Sequence, residues 1–458
     1  MVGFNHRVLC MLGAMALIAA AGIPALASEG QNKDRLFWLQ FTEEYRFRSV
    51  SSVAGDTLFG KSQSDHDARV YAAAGFRDSK DRFYVTTSLG AWFDLDGIDN
   101  GTPGTLGSIY DVGDPAKLDV YSLYGEYHTS GWLKEIRLGR QQAEYGLSAT
   151  YDGLHARIRP LPIVDVFLFG GRTVHYFEEG ADLFEDWMGS GGLSIRPLER
   201  LRLDLDYRFT MEDTALEEGL MEHGYGATIW FQPIDWLYLK ALGRGIDEQF
   251  THAGLNSRLE WASLGLGIRL GMESQLVTLR ELNEGENPYF AILGESLPHT
   301  RWEAAVWKSF ATSAGTYSLE AGWNGRANHK DEAAFNRDYG KIYLMFAAED
   351  IGIKGPFVQV ALEDHFAQLG PSFDDEGQIT VGGAAGWATH KLRIEAGSWY
   401  QRFKYDYFQD VREIEDVRTV YGAVTWRALD WLSVKARYAY ENMDRDLHSV
   451  FLTLSQSY

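Results

Sequence analysis

The sequence predicts an all-β fold: a single transmembrane, antiparallel, up-and-down β-barrel of about 22 strands (range 18–22), with long links at one end and short turns at the other. Three observations carry that expectation. Residues 201–211 read LRLDLDYRFTM, setting Leu201, Leu203, Leu205, Tyr207, Phe209 and Met211 against Arg202, Asp204, Asp206, Arg208 and Thr210. Side chains alternate faces along a strand, so this segment has one apolar and one charged face. The unit recurs about twenty times with no helical layer to cover it, which a barrel closed in lipid resolves: apolar side to acyl chains, charged side to interior water. Finally, the links between segments alternate short and long along the whole chain.

The chain opens with His6 and Arg7, an apolar run over 8–23 and a small-x-small site at Ala25-Leu26-Ala27. This predicts an export signal over 1–27, with the barrel over 28–458. The one cysteine, Cys10, falls inside the signal. Disulfides, thiol catalysis, cysteine-ligated zinc and c-type haem attachment are thereby excluded for the exported chain. After Ser28 no apolar run is long enough for a membrane-spanning helix. Aromatic residues make up 14% of the chain, with 14 Trp and 24 Tyr, as the two interfacial girdles of such a barrel require. A formal charge of −21 argues against a nucleic-acid partner.

Taken in order, alternation between turn signals predicts strands at 35–48, 68–77, 82–93, 118–128, 134–141, 151–159, 163–173, 187–196, 201–211, 223–232 and 236–246. It continues at 258–269, 275–281, 300–310, 316–324, 339–347, 356–365, 378–388, 391–403, 417–427, 431–442 and 448–458. Short links fall at 78–81, 197–200, 232–235, 390–391 and 428–430, and long ones at 49–67, 94–117, 174–186, 282–299, 325–338 and 404–416. Outer-membrane barrels place tight turns in the periplasm and longer loops outside, and an even count returns the last strand to the first.

The short turns carry a loose repeat: RPLERLRLDL (196–205), QPIDWLYLKA (232–241), RALDWLSVKA (427–436) and, more weakly, RPLPIVDVFL (159–168). It reads as one hairpin reused, with Trp236 and Trp431 at the inner interface. The end, SVFLTLSQSY, puts Val450, Leu452, Leu454 and Tyr458 on one face. That resembles the C-terminal recognition strand of proteins inserted into bacterial outer membranes.

The parity opposite the apolar one lines the interior. Its basic members are Arg46, Arg69, Arg137, Arg157, Arg159, Arg202, Arg208, Lys240, Arg244, Arg258, Arg301, Lys341, Arg393, Lys435 and Arg437. Its acids include Glu44, Asp204, Asp206, Glu260, Glu303, Glu320, Glu363, Glu395 and Glu441. Bases outnumber acids there, so the remaining acids are expected in loops such as 94–99, 178–186, 212–222 and 374–376. Arginine inside a pore favours anions, because its charge is fixed and its fork matches carboxylate or phosphate. Neighbours such as Arg202 with Asp204 and Arg393 with Glu395 are expected to pair off. A barrel this wide needs a constriction, for which loops 94–117 and 282–299 are the best placed.

Residues 136–159 read IRLGRQQAEYGLSATYDGLHARIR, with Gly139-Arg140-Gln141, Tyr145-Gly146 and Tyr151-Asp152-Gly153 in succession. This resembles the alginate-export family of outer-membrane barrels. The resemblance implies 18 strands and an arginine-lined conduit for a polyuronate, with Arg137, Arg157 and Arg159 as lumen contacts.

Other motifs carry little. DLDGIDNG at 94–101 offers Asp94, Asp96, Asp99 and Asn100 but lacks the spacing of a calcium loop, and reads as a solvated acidic link. The histidines show no HExxH spacing, and nucleophile-elbow, dinucleotide and Walker patterns are missing. No catalytic residue, metal or cofactor is expected. The sequence therefore points to a monomer in the bacterial outer membrane, among lipid and lipopolysaccharide. Hydrophilic, anionic solutes or polysaccharide would pass through it passively, with possible periplasmic export machinery as a further partner. The alternatives are a general or sugar porin guided by aromatics such as Trp38 and Tyr84, the barrel sheath of a porin–cytochrome electron conduit, and an outer-membrane hydrolase.

Overall fold

A computed structural model describes residues 36–50, 63–95, 116–143, 150–174, 186–212, 220–278, 297–329, 338–367, 377–406, 412–442 and 446–458. The signal segment, most of loops 94–117 and 282–299, and Tyr145-Gly146 lie outside them. The strands are β1 (Phe37–Val50), β2 (Gln63–Arg77), β3 (Phe83–Asp94), β4 (Ala116–His128), β5 (Leu133–Gln142), β6 (Thr150–Leu161), β7 (Val164–Thr173) and β8 (Trp187–Leu198). There follow β9 (Leu201–Glu212), β10 (Leu220–Ile234), β11 (Leu237–Ile246), β12 (Gln249–Trp261), β13 (Leu266–Gln275), β14 (His299–Thr312) and β15 (Gly315–Asn328). The last are β16 (Tyr339–Glu349), β17 (Pro356–Ala367), β18 (Gly377–Ala388), β19 (Leu392–Asp406), β20 (Arg412–Leu429), β21 (Leu432–Asn442) and β22 (Asp446–Ser457).

Each strand pairs antiparallel with its neighbour in sequence, and β22 returns to β1 from Gln40↔Ser457 to Val50↔Leu447. The 22-stranded sheet therefore has no free edge. This agrees with the count from alternation and not with the 18 strands implied by the family resemblance.

Cross-strand partners share a face, so the register sorts every side chain. One face carries Leu118, Leu138 and Leu154, which are 67%, 66% and 50% exposed, with Ile229, Leu255, Leu270, Val306, Ile342, Val360, Ile379 and Val424 among many others. Exposed apolar side chains on this scale belong in acyl chains, not water. At the short-turn end Trp236 stacks on Trp261 (5.6 Å) and Trp431 on Tyr458 (5.1 Å), an aromatic belt where the repeat places it. At the other end, on the same outer face, three cross-strand pairs recur: Tyr45 with His66 (2.6 Å), Tyr207 with His223 (2.7 Å) and Tyr438 with His448 (2.8 Å). Rings with a polar tip suit a lipid–water boundary.

The repeat has a structural cause. Its four copies coincide with register shifts at Ile158/Leu161, Ile195/Leu198, Phe231/Ile234 and Arg427/Leu429. Proline cannot donate to the ladder, so Pro160, Pro197 and Pro233 sit where a bulge leaves the pairing interrupted. In the β2–β3 turn the Asp78 carboxylate accepts the N–H of Phe83 (2.8 Å) and of Arg82 (2.5 Å). Those bonds, the Phe83 one foremost, hold its pKa below the usual aspartate value.

Three expectations need correction. The strand expected at 275–281 is not one, since β13 ends at Gln275 and 276–278, the described residues after it, are not strand. The strand expected at 258–269 is interrupted by a turn: β12 ends at Trp261, Ala262–Leu264 form one 3-10 turn, and Gly265 (φ 57°) starts the return. The stretch 247–257, unassigned from alternation, is mostly strand, joined to β11 by Asp247-Glu248 alone, with Asp247 at φ 50°. Strands also run further at the long-link end than alternation suggests, since polar residues there occupy both faces and blur the pattern.

Glu43 breaks the outer face. It lies between Phe41 and Tyr45, opposite Val70 on β2 and Leu454 on β22. A carboxyl group among hydrocarbon neighbours is destabilising. Glu43→Leu is therefore expected to stabilise the barrel by about 1–2 kcal/mol, read as a higher urea midpoint for the heat-modifiable gel band. An unchanged or lower midpoint would show that this carboxyl is satisfied where it stands.

Candidate functional site

The inner face is the candidate site. Register places Arg137, Arg157, Arg202, Arg208, Lys240, Arg244, Arg258, Arg301, Arg393, Lys435 and Arg437 on it, as it does Arg46, Arg69 and Lys341. Arg159, beside the bulge, joins them by bonding Asp165 of that face (2.7 Å).

Most of these cations are neutralised locally. Arg46 and Arg48 bond Asp67 and Asp65. Arg137 reaches Glu126 (2.7 Å) and Glu135 (2.6 Å), and Arg157 and Arg159 share Asp165. The sequence-neighbour pairs form as expected, Arg202 with Asp204 (2.7 Å) and Arg393 with Glu395 (2.7 Å). Arg258 pairs with Glu260, Lys341 with Glu363 (2.7 Å), and Arg208 more loosely with Glu222 (3.4 Å).

The sequence reading underestimated the acids. Asp65, Asp67, Asp119, Glu126, Glu135, Asp165, Glu222 and Glu273 also occupy the inner face. The two signs are nearer to balance than expected, because several of these residues lie in strand ends that alternation assigned to links. Inner-face Arg48, Arg269 and Arg326 were missed too, the last because 325–338 read as a link.

A distinct set of cations remains. Arg69, Lys240, Arg244, Arg301, Lys435 and Arg437 have no carboxylate oxygen of the described residues within 4.0 Å. Several are braced on rings instead: Arg69 over Trp92 (4.1 Å), Lys240 over Trp230 (4.6 Å) and Arg437 over Tyr421 (4.6 Å). A ring face orients a cation for about 0.5–1 kcal/mol without cancelling its charge. Lys240 and Lys435 hold the same place in the repeat, on β11 and β21, which stand on nearly opposite sides of the ring of strands. Further on, Arg301 lies directly opposite Arg326, and Arg258 opposite Arg269. Like charges set opposite each other destabilise a ladder unless something between them offsets the repulsion.

The 136–159 stretch proves to be a packing device. Gly139 is at φ 125° and a Cβ there would meet Leu123 O at 2.2 Å, so only glycine permits this close approach of β4. Arg140 binds Asp152 through two bonds (2.8 and 2.7 Å), and buried Gln141 donates to Gly153 O (3.2 Å). Behind them Tyr151, Phe167, Phe169 and Met188 form a buried apolar cluster.

No protein-family model matches the chain, and no curated protein matches its sequence. Among solved structures it is similar to the P pilus usher (PapC) translocation pore, with a TM-score of 0.52 at 8% identity over 92% of this chain and 99% of that one. A BenF-like porin from Pseudomonas fluorescens Pf-5 (TM-score 0.47, 10% identity, 92% and 99% covered) and OccAB3 from Acinetobacter baumannii (0.46, 9%, 92% and 99%) are further matches. At this identity the likeness to the usher pore shows the fold alone, a closed antiparallel β-barrel. Nothing in it speaks for the alginate-export family in particular.

Proposed function

We propose that the protein is a channel of the bacterial outer membrane, monomeric among lipid and lipopolysaccharide, through which hydrophilic anions or anionic polysaccharide pass passively. Support comes above all from the inner-wall cations with no carboxylate oxygen of the described residues within 4.0 Å, Lys240, Arg244, Lys435 and Arg437 foremost. They offer weak, repeated attraction to carboxylate or phosphate along the path, favourable enough to admit a solute and dispersed enough to release it. No bond is made or broken. Any direction comes from a gradient or from periplasmic export machinery.

The zero-current potential of the purified barrel in a planar bilayer, measured across a potassium chloride gradient, tests this. Chloride preference is expected, and it should weaken as salt rises because the Debye length falls from about 10 Å at 0.1 M to about 3 Å at 1 M. Potassium preference overturns the reading. Near-neutral selectivity would favour a general or sugar porin instead, the reading to which the many internal ion pairs lend weight.

A further inference from the structure

We propose that Glu126, His128 and Glu135 form a binding site for a divalent transition-metal ion, with Zn2+ as the natural probe, at the short-turn end of the inner wall. Glu126 and His128 are two residues apart on β4 and so share a face, while Glu135 comes from β5 as the direct cross-strand partner of His128. One ligand atom from each lies within 4.8 Å of the others, close enough for one ion to gather all three. An imidazole with two carboxylates is a borderline donor set that suits Zn2+ better than Ca2+ or Mg2+.

The surroundings hold these ligands as outer partners do in metal sites. Arg137 Nε donates to Glu126 Oε2 (2.7 Å) and lies 2.6 Å from Glu135 Oε1, fixing both carboxylates from one side. Glu126 Oε1 is thereby turned to Nε2 of His128, with which it is in contact. Tyr84 meets the His128 ring edge-on (5.0 Å). Buried behind the group, 2% exposed, His155 places Nδ1 3.6 Å from Glu135 Oε1. His128 is the most exposed of the three ligands, so an ion has an approach from the lumen and keeps positions there for water or a solute oxygen. Arg137 leaves the two carboxylates a net charge of minus one for the ion to meet. The site is independent of the anion reading.

Isothermal titration of Zn2+ into the chelator-stripped barrel in detergent tests the site. One saturable site per chain is expected, weakened more than about tenfold by His128→Ala and by Glu135→Gln and unchanged by His448→Ala, which removes an outer-face histidine. Heat-modifiable gel mobility checks that each variant is folded. If Glu135→Gln does not fold, the more exposed His128→Ala decides alone. No saturable binding, or binding that His128→Ala leaves intact, overturns the proposal and makes the group an ion-pair network only.

Discussion

Replacing Lys240, Arg244, Lys435 and Arg437 together by glutamate is expected to reverse the sign of the zero-current potential in a planar bilayer. None of the four has a carboxylate of the described residues within 4.0 Å, and only Arg244 acts on one at longer range, Asp206, so most of their charge is not already spent inside the wall. Substituting Arg202 or Arg393 instead, each paired at 2.7 Å, strands an acid of opposite sign beside it and disturbs the wall as well as the field. The four-fold variant removes cations from β11 and β21 without breaking an ion pair of the described residues, Arg208 remaining beside the Asp206 that Arg244 also faces. Fixed charges on facing walls add in the space between them at low salt, where the Debye length is about 10 Å or more. The measurement therefore belongs at low ionic strength. If the folded variant keeps the parent's selectivity, these residues do not set it, and loop charges do.

Gly139→Ala should cost far more than an ordinary glycine substitution. Two effects combine at this position. Its φ of 125° is a conformation for glycine alone, and the added methyl would overlap Leu123 O, 2.2 Å from the ideal Cβ. Backbone strain accounts for about 1–3 kcal/mol and forced overlap for about as much again, so about 3–5 kcal/mol or outright failure to fold is expected. Gly352 separates the two terms. It has φ 72° with nothing within 4 Å of its Cβ, so Gly352→Ala should cost only about 1 kcal/mol. Urea midpoints of the heat-modifiable band measure both. Equal losses would mean that strain alone governs and that the approach of β4 to β5 is not a constraint.

The alternation in LRLDLDYRFTM and its echoes was enough to read the barrel, its strand count and the face of every basic residue singled out. Facing depends only on parity within a strand. The interrupted segment at 258–269 escaped because Ala262, Ser263 and Leu264 give no proline or Asn/Asp-Gly signal, and apolar alternation resumes on the far side of Gly265. The charge state of the wall was only partly readable. Arg202–Asp204 and Arg393–Glu395 are neighbours on one strand and could be foreseen. Arg157 with Asp165 and Arg46 with Asp67 depend on which residues the ladder sets side by side. The Glu126, His128 and Glu135 group was hidden for the same reason, since no single-strand spacing joins its two halves.

Closure between β1 and β22 makes assembly a matter of timing. The segment that completes the pairing of Phe37–Val50 is made only after residues 63–446 exist, so one side of β1 waits for almost the whole polypeptide. The entropy of joining ends so distant grows only logarithmically and is affordable, but the search is slow and leaves bare amides open to wrong partners meanwhile. A cell that makes this protein must chaperone an unfinished cylinder, and a lesion in residues 446–457 would be felt first as failed biogenesis rather than as altered conductance.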